Sequence, residues 1–289
     1  MDSTEKLKTL LARKAAVTAP GAANALTARV IEDLGFEVAY VTGAGIANMY
    51  LGAPDVGLTT LTEVSNTLSA ISDSVSLPLI VDADTGFGNA VNMVRTVRVL
   101  ERAGAAGIQI EDQVFPKKCG HFKGKAIIPL NEMVQKVKAA LDSRRDQNLQ
   151  IIVRTDAVAV EGLDRAIERA HAFIEAGADA TFVEAPTTLD QLTRIPRELR
   201  VPQVANIVFG GNTPDPGRAR LAEMGFSLVL YANAALQAAL KATYDVLGSL
   251  KETGSLDRVA GRLASFDERQ KAVAKDVWDR RESRYRADS

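Results

Sequence analysis

Eight short apolar runs rich in β-branched residues recur along the chain. They lie near Val17–Ala19, Val38–Thr42, Leu77–Asp82, Gly107–Glu111, Gln150–Arg154, Ala180–Glu184, Gln203–Asn206 and Ser227–Tyr231. Runs apolar on both faces are what parallel strands covered on both sides require. Helical stretches with apolar residues at i, i+3, i+4 spacing separate most of them, as in Ala90–Ala103 and Asp164–Ala176. Four runs follow a glycine that ends a helix: Leu34-Gly35-Phe36, Ala103-Gly104-Ala105, Ala176-Gly177-Ala178 and Met224-Gly225-Phe226. Glycine there fits a left-handed helix cap, and the four precede the second, fourth, sixth and eighth strands. Helix and strand alternating in eight units predict an α/β fold, a (β/α)8 TIM barrel, with a doubly wound open sheet as the alternative.

No Ser/Gly/Pro-rich linker divides the 289 residues, so a single barrel domain is expected over residues 1–250. A helix over Ala234–Leu250 follows the last strand, and residues 251–289 form a charged helical tail that a barrel does not need. That tail is amphipathic and holds the only tryptophan, Trp278, so it is expected to pack on a neighbouring subunit or on its own barrel. Lys plus Arg number 35 against 36 Asp plus Glu, which argues against a nucleic-acid-binding surface. No stretch of eighteen apolar residues occurs, so no membrane helix is expected. The first residues, MDSTEKLKTLLARKAAV, interleave charge with leucine and do not read as a signal peptide. One cysteine and two histidines allow neither an internal disulfide nor a Cys/His zinc site. These counts point to a cytoplasmic protein and leave oxygen ligands for any metal.

The chemistry is written at the strand ends. Strand after strand runs apolar and then terminates in a polar group: Thr42, Asp82 and Asp84, Glu111, Arg154, Glu184, Asn206. In a barrel these ends meet at one mouth, and unpaired buried charges are costly, so a metal or charged ligand is expected there. In Asp82-Ala83-Asp84-Thr85-Gly86-Phe87-Gly88 the two aspartates share one side if the strand persists that far. With Glu111 and Asp55 they make an oxygen-rich set suited to Mg2+, or Mn2+ in its place. The competing reading has Asp84 capping the helix that begins near Asn89. Thr42-Gly43-Ala44-Gly45 lacks the third glycine of a dinucleotide fingerprint and reads instead as backbone amides facing a carboxylate. Phe115-Pro116-Lys117-Lys118-Cys119-Gly120-His121-Phe122-Lys123-Gly124-Lys125 has the composition of an active-site lid, and its cations lower the thiol pKa of Cys119. A solvated basic loop with a spectator cysteine is the alternative.

Asp82-Ala83-Asp84-Thr85-Gly86, Ile110-Glu111-Asp112-Gln113 and Lys117-Lys118-Cys119-Gly120-His121 together resemble the isocitrate lyase/phosphoenolpyruvate mutase superfamily. The likeness continues through Val153-Arg154-Thr155-Asp156-Ala157, Glu161-Gly162-Leu163-Asp164 and Val183-Glu184-Ala185-Pro186, covering roughly residues 10–250. Within the superfamily the chain is similar to the short carbon–carbon lyases, those of methylisocitrate and 2,3-dimethylmalate. The resemblance implies a Mg2+-dependent barrel, commonly a homotetramer built as a dimer of helix-swapped dimers. It implies that Asp82 and Asp84 hold the metal, with Asp55 and Glu111 holding its waters. Thr42, Gly43 and Ala44 then bind the 2-oxo acid half of the substrate, and Arg154 pairs with a substrate carboxylate. Glu184, Asn206 and Gly120 complete the substrate pocket. Tyr40 is placed as a base for the substrate hydroxyl and Cys119 as the acid that protonates the carbanion, with Lys117 and His121 beside it among the catalytic residues.

The expected activity is cleavage of a 2-hydroxy di- or tricarboxylate, an alkylmalate or a methylisocitrate, to pyruvate or glyoxylate and a second carboxylate. The alternatives are an oxaloacetate or other 2-oxo acid hydrolase or decarboxylase using the same site, and a non-enzymatic relative. Two departures from the family pattern lean toward an alkyl-bearing substrate: Ala44 in the small-residue turn, and Phe209 where an acid is usual. Phe209 is expected either to make the pocket less polar or to pack under the barrel.

Overall fold

The computed structural model describes residues 1–118, 120 and 124–286. Eight strands, β1 (Val17–Ala22), β2 (Ala39–Val41), β3 (Leu79–Asp82), β4 (Gly107–Glu111), β5 (Gln150–Thr155), β6 (Ala180–Val183), β7 (Gln203–Asn206) and β8 (Leu228–Tyr231), run parallel in sequential order. β1 pairs with β8, Val17 opposite Leu228 and Ala19 opposite Leu230, which closes the barrel and excludes the open sheet. The strands β2 to β6 are buried at every residue, as expected of a sheet with side chains inside and helices outside.

The helices follow the local sequence closely. Ala90–Arg102 is capped by Asn89, whose side chain accepts from the Val91 and Asn92 amides at 2.9 and 3.2 Å, and it buries Met93, Val97 and Leu100 against the sheet. Leu163–Glu175 buries Ala166, Ile167, Ala170 and Phe173 on one face. Gly35, Gly104, Gly177 and Gly225 all take positive φ, from 79° to 106°, at the ends of their helices. At these positions a side chain would be strained, so the alternating glycines mark where each helix turns back into a strand.

The interior of the barrel is a packed core. Ile80, Ile152, Phe182, Val204, Leu228 and Leu230 meet there, and the helix Ser3–Ala12 inserts Leu7, Leu10 and Leu11 among them. A Cβ on Gly107 would lie 2.7 Å from Leu7 Cδ2, so this glycine admits the helix. The plug occupies the end of the barrel where the strands begin, and the charged N-terminal stretch of the sequence carries no sign of it.

The chain divides into two compact units, Met1–Ala235 and Leu236–Ser289. The helix Ala234–Thr253 opens the second, and the boundary expected at residue 250 falls inside that helix. The second unit continues with a 3-10 turn, Asp257–Arg262, and two helices, Phe266–Ala272 and Lys275–Tyr285. It exposes Leu240, Tyr244 and Leu247, spaced along one side of the long helix, and Trp278 at 57%. No described helix is long and apolar enough to cross a membrane.

Candidate active site

The C-terminal ends of the strands surround a cavity of about 40 Å³ lined by Tyr40, Thr42, Ala44, Asp55, Asp82, Lys117, Gly120, Arg154, Phe182, Glu184 and Asn206. Asp84 and Glu111 are buried beside it and ion-paired to Lys117 and Arg154, which line it. The structure thus brings together every described residue assigned from the sequence. Cys119 and His121 lie outside the described residues.

The acidic side of the cavity is built on β3. Asp82 closes the strand, and its Oδ1 accepts from the Asp84 amide at 3.2 Å and from Gln109 Nε2 at 3.3 Å. Asp84 is not a strand residue, as the alternation argument required. The chain leaves β3 through a left-handed turn, Asp84 at φ 47°, and that turn carries its carboxylate back into the site. Nor does Asp84 cap the next helix, because Asn89 does so. The Gly43 amide lies 3.4 Å from Asp82 Oδ2, and a Cβ on Gly43 would fall 3.1 Å from that oxygen and 3.3 Å from Asp84 Oδ1. Glycine at 43 therefore keeps clear the space where the two carboxylates converge. Thr42 caps the short helix Gly43–Tyr50 by accepting from the Gly45 amide.

Lys117 sits between the acids, its Nζ 2.5 Å from Asp55 Oδ1 and 2.7 Å from Asp84 Oδ1. Burial pushes Asp84 up to about 7, with Asp82 and Asp55 adding to the shift and Lys117 opposing it. Burial alone would lower Lys117, but Asp84, Glu111, Asp82 and Asp55 outweigh it and hold the ammonium well above its ordinary value. Tyr40 Oη donates to Gln109 Oε1 at 2.6 Å. Burial first, then Asp82, drives its pKa well up, so in this environment the hydroxyl keeps its proton. A base role for Tyr40 requires additional positive charge beside Asp82.

Arg154 anchors the opposite side. Its Nε and Nη2 form a two-pronged contact with Asp156, 2.9 Å each, its Nη1 lies 3.3 Å from Glu111 Oε2, and it stacks 5.4 Å from the Phe182 ring. Lys125 completes the network, reaching Asp156 Oδ1 at 2.7 Å and the Gly120 carbonyl at 2.6 Å. Burial would raise Asp156, but Arg154 and Lys125 prevail and hold it below the usual carboxylate range. A Cβ on Gly120 would meet Glu184 Oε1 at 2.4 Å and Arg154 Nη2 at 2.5 Å, so a side chain there would displace one of these two groups. Asn206 Nδ2 reaches both Glu184 oxygens at 3.4 Å.

Asp156, Gln109, Lys125 and Phe182 were not singled out from the sequence. Asp156 stands two residues after Arg154, the spacing that returns a side chain to the same side of a strand. Gln109 is a polar residue inside an otherwise apolar strand, a signal that it needs a buried partner. Behind them Asp112 accepts from Thr155 Oγ1, Arg169 Nε and the Asp156 amide at 2.7–2.9 Å, fixing the backbone of the Arg154 strand. Phe209 neither packs under the barrel nor lines the cavity: it is 88% exposed, and its neighbour Val208 lines the cavity instead.

A metal fits this donor chemistry. Asp55, Asp82, Asp84, Glu111 and Asp156 lie against Lys117, Lys125 and Arg154, five acids to three cations. Glu111 Oε1 and Asn206 Oδ1 are buried with no hydrogen-bond partner. The donors are all oxygen, as a hard cation prefers. As they stand, no three described His, Cys, Asp or Glu side chains are spaced as a ready-made ion site, because the Lys117 ammonium occupies the position between Asp55 and Asp84.

Comparison with known proteins identifies the family. The phosphoenolpyruvate phosphomutase family model matches residues 7–251. The chain is 45% identical over 268 residues to the 2,3-dimethylmalate lyase of Eubacterium barkeri, covering 93% of each. It is 45% identical to the 2-methylisocitrate lyase of Aeropyrum pernix, over 90% of this chain and 85% of that protein. Its fold superposes on a crystal structure of 2,3-dimethylmalate lyase with a TM-score of 0.93 at 31% identity, covering 98% and 95% of the two chains. It also superposes on phosphonopyruvate hydrolase in complex with oxalate and Mg2+, with a TM-score of 0.89 at 30% identity over 99% of both. The chain belongs to the phosphoenolpyruvate mutase/isocitrate lyase superfamily and is one of its carbon–carbon lyases.

Proposed function

We propose that this lyase cleaves the C2–C3 bond of a 2-hydroxy di- or tricarboxylate, an alkylmalate or a methylisocitrate, with Mg2+ or Mn2+ as its metal. The products are pyruvate or glyoxylate and a second carboxylate. The observation that carries the reading is the cavity itself, with carboxylates on the β3 side and a clamped arginine on the β5 side. The named activities of the two 45%-identical relatives support it, and the Mg2+ complex of phosphonopyruvate hydrolase supports the metal.

Asp82 and Asp84 would hold the ion, with Asp55 and Glu111 on its waters. When bound, the cation supplies stabilisation of negative charge on the substrate's hydroxyl and carboxylate oxygens. The chain's own residues do the rest. Arg154, held rigid by Asp156, pairs with the distal carboxylate. Asn206 and Glu184 orient the substrate beside it. Loss of the hydroxyl proton, with Tyr40 in its phenolate form as the acceptor, lets the C2–C3 electron pair leave to the distal fragment as C2 becomes a carbonyl. Cys119 then returns a proton to that carbon, Lys117 and His121 favouring its thiolate afterwards.

The same reading makes the protein a cytoplasmic homotetramer, a dimer of dimers that exchange their C-terminal helices. The exposed side of Ala234–Thr253 and the exposed Trp278 support a partner there. Incubation with Mg2+ and a panel of alkylmalates, methylisocitrate and oxaloacetate, with coupled detection of 2-oxo acids, tests the chemistry. Pyruvate or glyoxylate from a hydroxy acid supports it. Oxalate from oxaloacetate, with no hydroxy acid cleaved, overturns it in favour of a hydrolase.

A further inference from the structure

Behind the catalytic carboxylates lies a second and much larger cavity, about 740 Å³, with apolar walls from Leu58, Leu61, Phe87, Phe115 and Ile128. Four buried polar residues, Thr59, Thr85, Gln113 and Lys136, also line it. Lys136, on the helix Leu130–Ser143, is only 3% exposed and has no hydrogen bond or ion pair with any described residue. Thr85 is 2% exposed, and its hydroxyl has no hydrogen-bond partner among the described residues. Burial holds Lys136 below the ordinary lysine pKa, against the pull of Glu132, Glu111 and Asp112. A hydroxyl buried without a partner is costly, and an ammonium carried on a buried side chain without a counter-ion loses part of its hydration. A carboxylate in the cavity that reaches both groups would relieve both costs.

We propose that this cavity is a second ligand site, taking an amphiphilic monocarboxylate whose carboxylate meets Lys136 and Thr85 while its hydrocarbon chain lies along Leu58, Leu61, Phe87 and Phe115. Lys136 is the single cation of the lining, which matches the single charge of a carboxylate, whereas phosphate, with two charges, would want a second cation and meets Glu132 in the same lining. The apolar walls equally disfavour the polycarboxylates of the reaction cavity.

The walls are the catalytic loops seen from behind. Gly57 follows Asp55 by two residues, Thr85 adjoins Asp84, and Phe115 precedes Lys117 by two. A Cβ on Gly57 would lie 3.2 Å from the Lys117 amide and 3.4 Å from Pro116 Cβ, so these loops are in close contact. Filling the cavity braces the segments that present Asp55, Asp84 and Lys117.

Calorimetric titration of the full chain with decanoate tests the site, with decanol as the uncharged control. Decanoate should saturate at one per chain and bind roughly tenfold or more tighter than decanol, the gain expected of a charge-assisted contact. Lys136→Met should lose that advantage and bind both alike, while Lys136→Arg keeps it. A crystal soaked in decanoate should show the carboxylate within hydrogen-bond reach of Lys136 and Thr85, which keeps the test independent of how Lys136→Met folds. Equal binding of decanoate and decanol, undiminished decanoate binding by Lys136→Met, decanoate located elsewhere, or a cavity found filled by a neighbouring copy of the chain would each overturn the proposal.

Discussion

Replacing Asp156 with asparagine tests how the arginine side of the mouth is held. Asp156 is wholly buried and receives Arg154 Nε and Nη2 at 2.9 Å and Lys125 Nζ at 2.7 Å. Asparagine has the same shape but only one acceptor, and its amide group turns donors toward donors. Arg154 and Lys125 are then left buried with less compensation. Arg154 keeps a contact to Glu111 at 3.3 Å, and Lys125 keeps only the Gly120 carbonyl. Removing one partner of a buried ion pair costs about 3–5 kcal/mol. For a chain of this size that lowers the melting temperature by on the order of 10 °C. The pH dependence has a definite sign. Asp156 has a folded-state pKa below its ordinary value, so its contribution is present above the unfolded pKa and is lost as pH falls through the folded one. The difference between wild type and variant should thus stay level from about pH 5 to pH 8 and shrink below about pH 4. Thermal unfolding across that range, with KM and kcat for the cleaved hydroxy acid, measures both consequences. KM should rise more than kcat falls, because Arg154 is loosened rather than removed. A melting temperature within about 2 °C of wild type together with an unchanged KM would refute the reasoning.

Three further outcomes are expected. Asp84→Asn should be more stable than wild type at pH 8 without metal, by at most roughly 4 kcal/mol, since burial lifts Asp84 to about 7 and the folded state resists its ionisation. For a carboxyl with a raised folded pKa, stability is greatest below the unfolded value and declines as pH climbs through the folded one, so the variant's advantage should vanish near pH 4. Denaturant titrations at both pH values check this, and added Mg2+ should stabilise wild type but not the variant. Leu7→Ala should cost about 2–5 kcal/mol, because Leu7 is fully buried inside the barrel. Urea unfolding measures this, and turnover at a temperature where the variant stays folded should be nearly unchanged. Cys119→Ser should lose roughly 10²-fold or more in cleavage rate if the thiol is the proton donor, read by the coupled 2-oxo acid assay.

Much of the architecture was legible because barrels write themselves in short-range signals. The strands β4 and β7 match their expected bounds residue for residue, and each of the other six shifts by one to three positions at one end, or at both in β2. Polar residues at strand ends identified the mouth, since an apolar strand has no other use for a buried Asp or Arg. What escaped was non-local. Lys117 lies more than thirty residues from either carboxylate it bridges, and nothing in its loop announces Asp55 or Asp84. The left-handed turn at Asp84 was invisible because aspartate tolerates that conformation without advertising it as glycine does. Phe209 illustrates the converse. A residue read by its place in a motif was assigned to the pocket, whereas the loop after β7 turns Val208 inward and leaves the ring outside.

The pairing of Val17 with Leu228 has a consequence during synthesis. The ribosome delivers the first strand some two hundred residues before the last, roughly 10–40 s at usual elongation rates. Throughout that interval one edge of the growing sheet has no neighbour, and Leu7, Leu10 and Leu11 lack part of the chamber they fill. The nascent chain must be shielded or must collapse provisionally, and commitment to the native state comes only when the eighth strand has emerged.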